Sequence, residues 1–99
     1  MTNTKNLTHE EIKRLTDAYF IVLDKYVIAM NETKSDKIHY DLWNEMVNLL
    51  QRFKPIINAD KYIIERDIGT NNNFIVPYAV TYYSSTNEKL LTFDFSYLL

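Results

Sequence analysis

FIVPYAVTYYS (Phe74–Ser84) and KLLTFDFSYLL (Lys89–Leu99) decide the fold. In both runs bulky apolar side chains recur at every second position, the period of a strand with one buried face. Leu91, Phe93, Phe95, Tyr97 and Leu99 fall on one side of the last run, with Thr92, Asp94 and Ser96 on the other. Phe74, Val76, Tyr78, Val80 and Tyr82 form the bulky side of the first. Pro77 removes one backbone donor and such a residue belongs at edges or bulges, so it predicts a break in this strand or a place at the sheet edge.

Upstream, KYIIERDI (Lys61–Ile68) is a third run rich in β-branched residues. Gly69–Asn73 and Ser85–Glu88 supply the turns, where Gly and Asn tolerate positive φ. Residues 56–68 admit a second reading: Ile56, Ile57, Asp60, Ile63 and Ile64 also fit helical spacing, with Pro55 in a first turn and Gly69 as a C-cap. The alternation from Lys61 onward favours the strand.

The N-terminal half carries the other period. Thr8 and Glu11 have the spacing of a capping box, and Leu7 can pack on Ile12. From Ile12 one apolar stripe runs through Leu15, Tyr19, Val22, Tyr26 and Ala29, and a second through Phe20, Leu23, Val27 and Met30. Ile21 and Ile28 interrupt the polar side made by Glu10, Arg14, Asp17, Asp24 and Asn31. A helix apolar on nearly every side needs cover from more than one direction. After a polar break at Asn31–Ser35, a second helix opens at Ser35 or Asp36, with Ile38, Leu42, Met46, Leu49 and Phe53 on its buried face and Trp43, Val47 and Leu50 widening it. Pro55 is expected to stop it.

The expected architecture is α+β: two N-terminal helices (about 8–31 and 36–53), then a three-stranded antiparallel sheet (about 61–68, 74–84 and 89–99), helices on one sheet face. Residues 1–99 form one domain with a small core.

Composition removes many function classes. Without cysteine there is no disulfide framework, thiolate zinc site or thiol nucleophile, and one glycine cannot build a phosphate-cradling loop. A net charge of −2 is too mild for a broad nucleic-acid-binding field. The N-terminal residues lack a signal-type apolar region and no apolar run approaches a bilayer-spanning length, which gives a cytoplasmic, membrane-free reading. Ile, Asn, Lys, Tyr and Phe make up 41 of 99 residues, the AT-rich codon bias of a low-GC bacterium, its phage or plasmid, or an archaeal virus.

Candidate chemistry is sparse. His9 reads as an exposed first-turn residue, and His39 beside Asp36 and Asp41 offers poorly arranged metal donors. Glu65, Asp67 and Asp94 could gather if the strands pair directly, the basis of a metal-dependent hydrolase reading. Tyr78, Tyr82 and Tyr97 share faces with core residues, leaving Tyr83 as the outward aromatic of a nucleic-acid-binding reading.

Apolar leftovers are more telling. Ile21 and Ile28 on the first helix, and Ile63, Ile75, Tyr83, Leu90 and Leu98 on the outward side of the sheet, form a candidate interaction surface. The apolar ending Tyr97-Leu98-Leu99 calls for a central strand or for pairing with another chain. The expectation is a small non-enzymatic interaction protein without a cofactor, of the accessory or inhibitor type found in phages and mobile elements. It forms a homodimer and binds a host or viral protein in the cytoplasm. A dimeric nucleic-acid-binding regulator is the alternative, and the metal-dependent hydrolase the second.

Overall fold

The computed structural model describes residues 7–32, 34–68 and 74–99. Within them the chain forms helices α1 (His9–Glu32) and α2 (Asp36–Ile57), then strands β1 (Lys61–Ile68), β2 (Ile75–Tyr83) and β3 (Lys89–Asp94). A 3-10 turn covers Ser96–Leu98. The sheet is antiparallel in the order β1-β2-β3, the expected ααβββ arrangement. The expected turn at Gly69–Asn73 lies outside the described residues.

Helix α1 begins with the anticipated capping box. The Thr8 N–H donates to Glu11 Oε1 at 3.0 Å and the Glu11 N–H returns to Thr8 Oγ1 at 3.1 Å. Two otherwise orphaned amides are satisfied this way. Helix α2 opens on Ser35, whose backbone is extended and whose Oγ accepts the Ile38 N–H at 3.4 Å.

Three boundaries depart from expectation, each for a local reason. Pro55 does not stop α2, which continues to Ile57. Pro55 sits in the last turn, where only one amide is lost, and the extra turn carries Ile57 into the core at 2% exposure. Asn58 then closes the helix in the left-handed region (φ 61°). Its N–H donates to the Pro55 carbonyl, and the Ala59 N–H reaches the Lys54 carbonyl at 2.8 Å.

Pro77 neither breaks β2 nor puts it at an edge, because β2 is the central strand. Pairing with β1 runs regularly from Lys61↔Tyr83 to Glu65↔Ala79 and resumes at Asp67↔Val76, so Pro77 and Tyr78 together oppose Arg66. Such a bulge accommodates a residue that cannot donate to the ladder.

Strand β3 ends at Asp94 and not at Leu99, which overturns the extended alternation of the last residues. The Asp94 carboxylate accepts the Ser96 N–H at 2.9 Å and starts the 3-10 turn. Tyr97 consequently stands 72% exposed, whereas Leu98 and Leu99 fold back against the core. β3 is an edge strand, which excludes the first of the two readings of its apolar ending, a central place in the sheet.

One core joins the helices to the sheet. Tyr19, Leu23, Met46, Leu50, Val80 and Tyr82 are completely buried, and the Tyr19 ring stacks on Phe93 and Phe95 at 5.6 and 5.9 Å. Each such side chain contributes about 1.5–3 kcal/mol by leaving water. The two buried phenols keep their hydroxyls bonded: Tyr19 donates to the Pro77 carbonyl and Tyr82 to the Leu50 carbonyl, both at 2.7 Å. These bonds tie α1 to the bulge in β2, and β2 to the middle of α2.

Candidate functional site

With the helices on one side, the sheet register fixes what the other side displays. Directly opposed residues share a face, so three rows cross the sheet: Lys61–Tyr83–Lys89, Ile63–Thr81–Thr92 and Glu65–Ala79–Asp94. Thr81 is buried at the centre of this face, its hydroxyl 3.1 Å from that of Thr92. Ile63 beside it is 52% exposed.

The predicted interaction surface separates into groups. Ile21 and Ile28 lie two turns apart on α1, 58% and 46% exposed, although Val22 and Leu23 between them are buried. Ile63 and Ile75 are exposed on the sheet, and Ile68, opposite Ile75, adds a further exposed side chain. Tyr83 is half-buried between the two lysines of its row. Leu90 and Leu98 pack partly against the core. For Leu90 the cause is a second bulge: Tyr82 pairs with Leu91 but Tyr83 with Lys89, so Leu90 is the unpaired extra residue.

The three carboxylates of the hydrolase reading are engaged separately. Glu65 accepts the Tyr78 hydroxyl at 3.2 Å, Asp67 accepts the Ile68 N–H at 2.7 Å, and Asp94 accepts the Ser96 N–H at 2.9 Å. The hydrogen bond to Glu65 raises the Tyr78 pKa above its ordinary value, and the charges of Glu65, Asp67 and Asp94 add to it. Among the described residues, no group of three or more histidine or carboxylate side chains could hold a metal ion. His39 directs Nε2 to the Ala29 carbonyl at 3.2 Å, in the last turns of α1. This contact joins the first turn of α2 to the end of α1.

One cluster escaped the sequence reading. The Arg66 guanidinium lies 5.7 Å from the centre of the Trp43 ring, and Trp43 in turn meets Tyr26 at 5.9 Å. Burial raises the Tyr26 pKa and the Arg66 charge opposes that rise. Alternation was the available signal, since Tyr62, Ile64 and Arg66 occupy the same parity of β1. The surface of α2 that includes Asp41, Glu45 and Arg52 forms a shallow polar depression. Among the described residues no helix is long and apolar enough to cross a membrane.

Compared with known proteins, the chain matches no family model, no curated sequence and no solved structure.

Proposed function

We propose that this chain is a small non-enzymatic interaction protein that associates with itself and with one further protein through apolar side chains left outside its core. The single observation carrying the reading is the pair Ile21 and Ile28, two large apolar side chains exposed on the side of α1 otherwise held by the exposed polar residues Asp17, Asp24 and Asn31. Leaving two such side chains in water gains nothing for the fold, whereas covering them with a partner removes apolar area from water. The separate engagement of Glu65, Asp67 and Asp94 favours binding over metal-assisted hydrolysis. The composition, rich in residues with AT-rich codons, fits a low-GC bacterium, its phage or plasmid, or an archaeal virus, and so supports a host or viral protein as the partner.

The test replaces both isoleucines, Ile21→Lys with Ile28→Lys. The double variant keeps the helical spectrum and melting temperature of the parent but no longer retains the protein captured by the parent from host lysate. Equal retention by parent and variant refutes the assignment.

A second reading, nucleic-acid binding, draws on the Lys61–Tyr83–Lys89 row, an aromatic flanked by two cations. It predicts retention on single-stranded DNA or RNA that weakens steeply with salt and is lost in Tyr83→Ala.

A further inference from the structure

Strand β1 is an edge of the sheet, and its outer side makes no backbone hydrogen bond among the described residues. It is eight residues long, holds no proline and exposes Ile63 and Ile68. The other edge, β3, is shorter, carries the bulge at Leu90 and ends in the 3-10 turn. An unguarded edge invites another strand, and natural edges are blunted by charges. On β1 those charges are Lys61, Glu65, Arg66 and Asp67.

Two copies joined antiparallel at an edge are related by a two-fold axis perpendicular to the sheet. The helix layers then share one side, and opposed residues must share a face. The axis must therefore pass through a residue, and the sequence of β1 discriminates among the choices. Centred on Glu65, two carboxylates oppose one another. Centred on Ile64, the partner's Glu65 falls opposite Ile63, and the partner's Arg66 opposite Tyr62. Centred on Tyr62, Lys61 meets the partner's Ile63. Centred on Ile63, every pair is complementary. Ile63 meets the partner's Ile63, Lys61 meets the partner's Glu65, and Tyr62 meets the partner's Ile64. Beyond them, Asp60 meets the partner's Arg66. Cross-strand pairs of these kinds are the ones that stabilise sheets. This segment also precedes the bulge opposite Arg66, so β1 is regularly paired throughout Lys61–Glu65.

We infer that a second copy of this chain adds to β1 in the register centred on Ile63, making a continuous six-stranded sheet with all four helices on one side. The inference rests on the self-association in the reading above and assigns it a face, leaving the Ile21/Ile28 ridge to the other protein. In the single chain Lys61 bonds Asn87 and Glu65 bonds Tyr78, both at exposed positions from which the side chains can swing to the new partner. The edge charges thus exclude other strands and misaligned copies while admitting one alignment.

The chain contains no cysteine, so a single introduced one reports on one contact. Opposed Cα atoms in an antiparallel pair lie about 4.5 or 5.5 Å apart, within the roughly 4.4–6.8 Å span of a disulfide. On mild oxidation Ile63→Cys forms a covalent dimer in high yield, whereas Ile21→Cys does not. Lys61→Glu sets like charges opposite each other twice and weakens the dimer roughly tenfold. Adding Glu65→Lys to it restores the affinity to within about twofold. Both substituted positions are exposed, so folding is preserved. A parent chain that sediments as a dimer while Ile63→Cys fails to cross-link overturns the register and leaves the interaction-protein reading standing. A charge reversal without effect, or one the second reversal does not rescue, overturns it equally. Loss of lysate capture in the Ile21→Lys, Ile28→Lys variant bears on the ridge alone, so the two failures are distinguishable.

Discussion

Raising the pH from 9 to 11 should destabilise this protein through two particular tyrosines. Tyr19 and Tyr82 are completely buried, and burial pushes both phenols far above their ordinary value; for Tyr82 the neighbouring Tyr62 and Tyr19 add to the effect. Each hydroxyl also donates to a carbonyl oxygen, a bond a phenolate cannot make. Below about pH 10 both the folded and unfolded states hold these protons. Above it the unfolded chain releases them and the folded chain does not. The unfolded state then binds fewer protons, so stability falls as pH rises. A group that ionises only on unfolding subtracts about 1.4 kcal/mol between pH 9 and pH 11, and the two together about 2.7 kcal/mol. With an m-value of roughly 1.5 kcal/mol per M, the urea midpoint drops by about 2 M. Tyr19→Phe removes one of these two contributions, about 1.4 kcal/mol or about 1 M of urea midpoint, and adds a pH-independent loss of about 1 kcal/mol for its hydrogen bond. Tyr26 and Tyr78 are also raised but are common to both proteins, so they cancel in the comparison. Urea titrations followed by circular dichroism at pH 7, 9, 10 and 11 measure the effect. Identical pH slopes for parent and Tyr19→Phe would refute the reasoning, as would all eight tyrosines of the folded chain titrating together near pH 10.

Two substitutions probe the joints of the fold. Leu50→Ala empties a fully buried site beneath Tyr82 and costs about 3 kcal/mol, lowering the melting temperature by roughly 15 °C in calorimetry. Asn58→Ala, which forces a Cβ-bearing residue without a local polar group into the left-handed region, costs about 1 kcal/mol. Asn58→Gly is neutral or slightly stabilising in the same denaturation assay.

The order of elements was legible because the hydrophobic period changes once, near Asp60, and each half keeps its own. The capping box at Thr8 and Glu11 formed as its spacing implied, since it depends only on residues three apart. Boundaries failed where a competing contact overrode the pattern. Pro55 was outweighed by the burial of Ile57, and the alternation past Asp94 was ended by a local hydrogen bond between its carboxylate and the Ser96 amide. Neither bulge is written in the alternation, yet each redirects a side chain: Tyr78 reaches Glu65, and Leu90 packs toward the core. The exposed pair Ile21 and Ile28 was readable, because two apolar residues seven apart on an otherwise polar helix side have no intramolecular use. What β1 offers a second copy was not readable until the sheet order placed that strand at an edge.

Sedimentation equilibrium of the unmodified chain over a wide concentration range tests the central claim, that the apolar side chains outside the core serve association. The account predicts a particle of twice 11.8 kDa that dissociates on dilution, with the Lys61→Glu variant dissociating at higher concentration than the parent. A single 11.8 kDa species at every concentration, with parent and variant indistinguishable, would contradict it.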